Sequence, residues 1–202
     1  MHARILISAI PALAVLALSA CAPAPAPRPQ VDPGVQDGTA SLPRGVRRTD
    51  GHGPVVLGGG GGAVDCRRTL PQEAARALAA TNAQRASAGL PPLRHDAKLQ
   101  KAAEDHACDM ARRGVMEHAG ATTSGPGQRV RALGYKPSVT AENIAAGSVS
   151  LIDLDGAVRQ WAASPGHASN IMLPQIREFG VGRAYSADGR VAYAAAVYAA
   201  PR

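Results

Sequence analysis

The sequence is poor in aromatic residues, which make up 3% of its 202 positions. Proteins that bind single-stranded nucleic acid depend on aromatic side chains for base stacking. The net charge is +7, and the basic residues are spread along the chain rather than gathered in a stripe. Together these observations disfavour a nucleic-acid partner. A mildly basic protein is better suited to anionic polymers or lipid headgroups.

The chain also lacks an apolar run long enough to cross a bilayer. The run at residues 5–18 follows the positively charged Arg4. A membrane-spanning helix needs about 20 apolar residues, so this shorter run is typical of a signal peptide. It ends in LSAC at 18–21, which resembles a bacterial lipobox. We predict a lipoprotein signal peptide at 1–20 and a membrane anchor through lipid on Cys21. The alternative is an ordinary secretory signal followed by an incidental cysteine.

Cysteine is scarce, with three in the chain, and an odd number in an exported protein requires an explanation. Lipid attachment at Cys21 leaves Cys66 and Cys108 as an even pair. Because the periplasm is oxidising, we predict a disulfide between them. A nucleophilic thiol is the alternative, although Cys108 lacks a distinctive motif. Ala22 rather than aspartate follows Cys21, and similarity to enterobacterial sorting favours the periplasmic face of the outer membrane.

Proline and glycine are concentrated at residues 22–64, with 7 prolines and 10 glycines in 43 positions. This share exceeds the roughly 25–30% at which disorder is expected, and no apolar periodicity accompanies it. We predict that 21–64 is a lipid-anchored, disordered linker and that 65–202 is the folded domain. The glycines at 58–62 are not a phosphate-binding loop, because no Gly-Lys-Ser or Gly-Lys-Thr follows them.

Two helices are predicted at the start of the domain. Thr69 and Gln72 have the spacing of a capping box for the first helix. Asp96 can cap the second, and Gly114 ends it. His106 lies on the apolar stripe of this second helix, and we expect a core histidine whose hydrogen bonds are satisfied rather than a ligand.

Two strands are predicted near the C-terminus. Residues 179–185 and 191–199 flank Asp188-Gly189, which is a hairpin turn signal. The second strand is apolar on both faces, and such a strand must be covered on both sides. Helices therefore pack on both faces of the sheet. We predict an α+β fold with the layers of a three-layer α-β-α sandwich.

The stretch at 141–182 places two titratable residues at the ends of predicted elements. Glu142 opens a short apolar run, and a helical pattern follows it. Ser164-Pro165 should end that helix, because the residue before proline avoids the α region. A tight turn would then present His167. This arrangement favours a functional site, and the alternative is a buried glutamate–histidine pair with only a structural role.

Four motifs in and before this stretch resemble one family. They are EHAG at 117–120, ENIA at 142–145, SPGH at 164–167 and GVG at 180–182. In this order they resemble the CAP superfamily (cysteine-rich secretory proteins, antigen 5 and pathogenesis-related proteins), whose domain is also called the SCP domain. The resemblance is closest to the bacterial branch and covers roughly residues 65–199. It implies the three-layer α-β-α sandwich.

The resemblance also implies a cleft that gathers two histidines and two glutamates. The matching positions are His118, Glu142 and His167. The second glutamate of longer members has no counterpart, because alanines and Ser164 follow Trp161. Two neutral imidazoles and one carboxylate form a reasonable ligand set for a divalent cation such as zinc.

Three functions remain open at this stage. The first is a binding or interaction module, taking a lipid or another ligand of the cell envelope in the cleft. The second is a metal-dependent hydrolase that uses the same cleft, and the third is a purely structural constellation. The missing glutamate argues against a general acid/base pair, and whether the protein is an enzyme is left open. We expect a monomer.

Overall fold

The structure is a computed structural model that describes residues 53–58 and 60–202. The predictions of a signal peptide at 1–20, of lipid on Cys21 and of most of the linker lie outside these residues. Within them, no helix is long and apolar enough to cross a membrane.

The described chain contains six strands and five helices, and the strands fall into two classes by length. Three strands have two residues each, and the three longer strands form the centre of the domain. The elements in chain order are β1 (Val55–Val56), α1 (Pro71–Ser87), β2 (Arg94–His95), α2 (Ala97–Arg113), β3 (Val115–Met116), α3 (Pro126–Ala132), β4 (Pro137–Ser148), α4 (Leu154–Ala163), α5 (Pro165–Ile171), β5 (Glu178–Tyr185) and β6 (Val191–Pro201).

The longer strands and β2 form one sheet in the order β2-β5-β6-β4. Strand β6 is antiparallel to both β4 and β5, while β2 runs parallel to β5. Helices α1, α4 and α5 pack on one face, and helices α2 and α3 pack on the other. The predicted three-layer α-β-α sandwich is confirmed, and so is the hairpin that joins β5 to β6.

Strand β6 explains why both layers of helices are required. Tyr193 and Val197 belong to the core beneath α2 and α3, whereas Ala196 and Tyr198 belong to the core beneath α4 and α5. All four are at most 1% exposed. A strand without a polar face can be stable only when both faces are covered.

The glycines of the GVG motif allow α2 to lie directly on β5. A Cβ atom on Gly180 would lie 2.1 Å from the backbone nitrogen of Gln100. A Cβ on Gly182 would lie 2.3 Å from the backbone nitrogen of Glu104. The backbone of α2 therefore packs against β5 at the two positions that lack a side chain, and this contact fixes the position of α2 relative to β5.

The helix ends agree with prediction in α2 and differ in α1. The Asp96 carboxylate accepts hydrogen bonds from the first turn of α2, and Gly114 ends that helix in the left-handed region. In α1 the predicted cap is wrong by one residue. The N-cap is Leu70, whose backbone nitrogen donates to Glu73 Oε2 at 2.9 Å. Pro71 favours this register because it occupies the first helical position.

His167 is presented by a short helix rather than by the predicted tight turn. Helix α4 ends at Ala163, and its C-cap Ser164 is extended, as expected for the residue before a proline. Pro165 then occupies the first position of α5, where its missing N–H carries no penalty. The Ser-Pro break is therefore a boundary between two helices.

The end of the predicted linker belongs to the folded domain. Strand β1 pairs with β3, and Leu57 donates its backbone N–H to the carbonyl of Gly114 at 2.9 Å. A Cβ on Gly60 would lie 2.7 Å from the carbonyl oxygen of Arg113. Glycine is therefore needed here for close packing, and ordered contacts begin ahead of residue 65.

The predicted disulfide is confirmed. Cys66 and Cys108 are bonded, with their Cα atoms 5.2 Å apart and 42 positions apart in sequence. The bond ties the segment before α1 to the middle of α2. It therefore links the two helical layers at the β2–β5 edge of the sheet.

Candidate functional site

Glu142 is a charged residue in the core of the domain. It lies in β4, opposite Val197 of β6, and its side chain faces the layer of α2 and α3. The residue is 0% exposed. A buried carboxylate is costly unless it is paired and hydrogen-bonded, so its partners decide what the site can do.

Both oxygens of the Glu142 carboxylate are engaged. Arg129 of α3 donates from Nη2 to Oε2 at 2.5 Å. His118 Nδ1 lies 2.9 Å from Oε1, and because a carboxylate only accepts, the His118 proton is on Nδ1. Arg129 also donates from Nη1 to the carbonyl of His118 at 3.0 Å. Arg129 therefore fixes both members of the pair.

The carboxyl of Glu142 is held in its charged form. Burial alone would raise its pKa, but the positive charge of Arg129 and the hydrogen bond from His118 overcome that effect and lower the pKa to about 2. A general base operates best when its pKa lies near the working pH. A carboxylate with so low a pKa is a poor proton acceptor.

His106 lies beside this pair, as its place on the buried stripe predicted, but its ring is not satisfied. The residue is 1% exposed, and neither ring nitrogen has a hydrogen-bond partner among the residues that the structure describes. Its Nε2 is 3.7 Å from Glu142 Oε1. Burial lowers the pKa of His106 to about 4, so the ring is neutral at pH 7.

The next residue of β4, Asn143, faces the other layer and anchors α5. Its side-chain amide donates to the backbone carbonyl of His167 at 3.1 Å. Asn170 of α5 donates in turn to the Asn143 side chain at 2.9 Å and to the Glu142 backbone carbonyl at 3.1 Å. Asn143 of the ENIA motif and Asn170, three residues after the SPGH motif, thus join α5 to β4.

The imidazole of His167 lies at the start of α5, and the residue is 6% exposed. Its Nδ1 is 2.9 Å from Ser164 Oγ. The structure thus brings His118 to Glu142 and holds the backbone of His167 against the same strand through Asn143.

The predicted set of metal ligands is not supported. Among the described side chains, no group of three His, Cys, Asp or Glu residues is placed to hold a metal ion. The physical reason lies at Glu142, whose oxygens are occupied by Arg129 and His118. The Arg129 guanidinium, 2.5 Å from the carboxylate, would also repel a cation.

Two concave surfaces lie on the described domain. The larger, with a volume of about 870 Å³, is a groove between the first half of α1 and the length of α2, and both cysteines of the disulfide line it. The smaller, of about 230 Å³, is a pocket between α2, α3 and the loop at 120–123. We call them the α1–α2 groove and the α2–α3 pocket.

Sequence reasoning missed Arg129 and misjudged the hydrogen bonding of His106. A signal for Arg129 was present, because a glutamate inside an apolar strand requires a buried cation. Arg129 is one of two arginines in the short helix α3. The choice between Arg129 and Arg131 depends on which helical face meets β4, and only the tertiary packing fixes that face.

Comparison with known proteins identifies the family. Residues 78–198, more than half of the chain, match the model of the CAP family, described as the cysteine-rich secretory protein family. The chain belongs to this family. The matched segment includes the Glu142–Arg129 pair, the asparagine contacts of α5 and the two glycines of the GVG motif that contact α2.

Individual relatives agree with this assignment. The chain is 33% identical over 102 residues to the uncharacterized protein YkwD of Bacillus subtilis, a match that covers 50% of this chain and 38% of that protein. Among solved structures it is similar to an outer surface protein of Borrelia burgdorferi, with a TM-score of 0.58 and 19% identity over 66% of this chain and 96% of that one.

An extracellular protein with an SCP domain from Bacillus anthracis is also similar. Its TM-score is 0.55 and its identity 25%, over 64% of this chain and 40% of that one. The chain thus spans well under half of the YkwD and Bacillus anthracis proteins, and the functions of those whole proteins do not transfer to it directly.

Proposed function

We propose that the protein is a binding module of the cell envelope that takes an amphiphilic ligand, an acyl chain with an anionic headgroup, in the α1–α2 groove. The proposal differs from the prediction in where the ligand lies. The predicted cleft of His118, Glu142 and His167 has its carboxylate fully buried and hydrogen-bonded, whereas the α1–α2 groove is open. The observation that carries the proposal is this apolar groove with its basic rim.

The groove has the size and lining of a ligand site. Its volume of about 870 Å³ falls within the roughly 300–1,000 Å³ typical of such sites. The side chains that line it are mainly small and apolar, and the short alanine side chains of α1 leave room for a ligand. The apolar lining residues are Leu70, Pro71, Ala74, Ala75, Leu78 and Ala97.

The charges at the rim favour an anionic headgroup. Arg68 and Arg112 line the groove, and neither forms an ion pair with a described residue. The acidic Asp105 is paired with Lys101 at 2.9 Å, and Glu104 accepts from the backbone of Thr69. The two arginines are therefore the cations available to an incoming carboxylate or phosphate.

Catalysis is less well supported by the same observations. A general base with a pKa of about 2 is not matched to neutral pH. The second glutamate of longer family members is absent from the sequence. A low-pKa carboxylate bound to a buried arginine is suited to holding α3 against β4.

An envelope location is part of the proposal. It is supported by the lipobox at 18–21, by the disulfide between Cys66 and Cys108, and by the Bacillus anthracis relative, whose description calls it extracellular. Disulfides persist in oxidising compartments. With lipid on Cys21, the domain would lie close to a source of amphiphiles.

The test measures binding of the fluorescent fatty acid cis-parinaric acid to the purified full chain carrying Cys21→Ser, so that no attached lipid competes. We expect saturable binding. Ala75→Asp places a carboxylate in the groove and should weaken binding at least about tenfold, because the charge would be desolvated beside the acyl chain. Ala83→Asp, on the same helix but outside the groove, is the matched control.

A second arm tests the headgroup. Dodecanoate should displace the probe better than dodecanol in the parent chain, and the difference should shrink in Arg68→Ala/Arg112→Ala. The absence of saturable binding, or equal affinities of Ala75→Asp and Ala83→Asp, would refute the proposed function.

A further inference from the structure

The α2–α3 pocket adjoins the α1–α2 groove, since Asp105 lines both, and it is bounded by α2, α3 and the loop at 120–123. One helical face of α2 forms its floor, with Ala102, His106 and Asp109 at spacings of four and three residues. Helix α3 and the loop at 120–123 form its walls. Its volume of about 230 Å³ equals that of about eight water molecules, the size of one small organic molecule.

The pocket contains buried polar atoms without partners. Both ring nitrogens of His106 and the Nε of Arg129 are buried and have no hydrogen-bond partner among the described residues. Both residues line the pocket. Buried polar groups are nearly always satisfied in folded proteins, so these three atoms have hydrogen-bonding capacity that a molecule in the pocket can satisfy.

The charged groups around the pocket are already matched. Asp105 pairs with Lys101 at 2.9 Å, and Asp109 pairs with Arg113 at 2.9 Å. Arg129 pairs with Glu142 at 2.5 Å. An anion would meet the two aspartates at the mouth, and a cation would meet the guanidinium of Arg129. The charge pattern therefore favours an uncharged ligand.

The chemistry of the lining narrows the ligand further. A neutral imidazole offers one donor and one acceptor, and Arg129 Nε offers a second donor. The carboxylates of Asp105 and Asp109 can accept from hydroxyl groups. Ala102 and the partly buried Leu133 provide an apolar surface for a methyl group. We propose that the α2–α3 pocket binds one uncharged sugar ring that carries hydroxyl and acetamido groups, an N-acetylhexosamine unit.

The hydroxyls of this unit reach Asp105 and Asp109, and its acetamido group bonds to His106 and Arg129. The acetamido methyl rests on Ala102 and Leu133. The pocket is too small for an acyl chain of membrane lipid, so it takes a different ligand from the groove. This second site stands or falls independently of the proposed function.

The test uses the ¹⁵N-labelled full chain carrying Cys21→Ser and follows the imidazole signals of His106 by NMR. Three probes share one ring and differ in charge: N-acetylglucosamine is neutral, glucosamine is cationic and glucuronate is anionic. We expect saturable shifts of the His106 signals with N-acetylglucosamine and at least tenfold weaker effects with the two charged sugars. The exposed His95, which lies outside the pocket, should not shift.

A pair of variants ties the effect to the pocket. Ala132 lies at its mouth and is exposed, so Ala132→Leu blocks entry without disturbing the core. Ala86→Leu, on the exposed face of α1, is the matched control. The His106 shifts should be lost in Ala132→Leu and retained in Ala86→Leu.

The proposal is overturned if N-acetylglucosamine leaves His106 unmoved at millimolar concentration, which would mean that the pocket holds water only. It is also overturned if a charged sugar binds as well as the neutral one. Shifts that persist in a folded Ala132→Leu protein would locate the sugar elsewhere. If that variant does not fold, the three-sugar series in the parent chain still decides the matter.

Discussion

Replacing Glu142 by glutamine should destabilise the domain by about 3–5 kcal/mol, because breaking one partner of a buried ion pair typically has a cost of this size. The substitution preserves the shape of the side chain and removes its charge. It leaves the Arg129 guanidinium, which is 8% exposed, without its buried counter-charge.

The size of the expected loss of stability distinguishes a structural role of Glu142 from a catalytic one. Catalytic groups are commonly held in strained or destabilised environments, so their removal often stabilises a protein. Glu142 instead has two hydrogen-bonded partners and a pKa lowered to about 2. Its charge therefore contributes to stability at neutral pH.

The assay is chemical denaturation of the parent chain, Glu142→Gln, Arg129→Met and the double variant. Removing both partners should restore part of the loss, with a coupling energy of at least about 2 kcal/mol. The control is Asp105→Asn, which breaks an exposed pair whose side chains are 55% and 53% accessible. Exposed pairs contribute about 0–1 kcal/mol.

Two results would refute this reasoning. One is a loss in Glu142→Gln no larger than in Asp105→Asn, which would mean that the buried charge needs no partner. The other is additivity of Glu142→Gln and Arg129→Met, since independent effects would show that the two residues do not act as a pair.

The remaining predictions concern acid stability, the disulfide, sheet packing and the anchor. His106 has a pKa of about 4 in the folded state against 6.5 in the unfolded chain, so the unfolded state binds the proton more readily. Stability should fall by about 3 kcal/mol as pH drops from about 6.5 to about 4, and His106→Met should lack this slope in denaturation at a series of pH values. Reduction of Cys66–Cys108 should lower the free energy of unfolding by about 4 kcal/mol on the chain-entropy model, an expectation that an unchanged denaturation midpoint would contradict. Gly182→Ala should cost about 3 kcal/mol or more, because its Cβ overlaps the backbone of α2, while Gly53→Ala, with open space around it, should stay within about 0.5 kcal/mol. Cys21→Ala should remove the protein from the lipoprotein fraction of the membrane, and an unaltered distribution would argue against the lipobox.

The layered fold could be predicted because it follows from local patterns. An apolar strand such as 191–199 has to be covered on both sides, whatever the rest of the chain does. The ends of α2 follow from Asp96 and Gly114, and the disulfide follows from the count of cysteines. Each of these inferences requires only the composition or the spacing of nearby residues.

Other features depend on packing between distant segments and could not be predicted. A glycine-rich composition predicted a linker up to residue 64, yet β1 pairs with β3 and Gly60 packs against the end of α2. A glycine-rich segment can therefore be either a flexible linker or a place where two backbone segments pack closely. Only the partner strand, far along the chain at Val115–Met116, distinguishes the two.

The position of Glu142 shows how far sequence can go toward function. A charged residue inside an apolar run indicates that this position has a role beyond packing in the core, and the sequence alone shows that much. Whether such a residue does chemistry depends on the groups that surround it. At Glu142, Arg129 and His118 occupy both oxygens and keep the charge fixed. At His106, both ring nitrogens have no described hydrogen-bond partner, although its place on a helical stripe resembles that of an ordinary core residue. The residue with the stronger sequence signal therefore has the structural role, and the residue with the weaker signal borders the pocket that can accept a ligand.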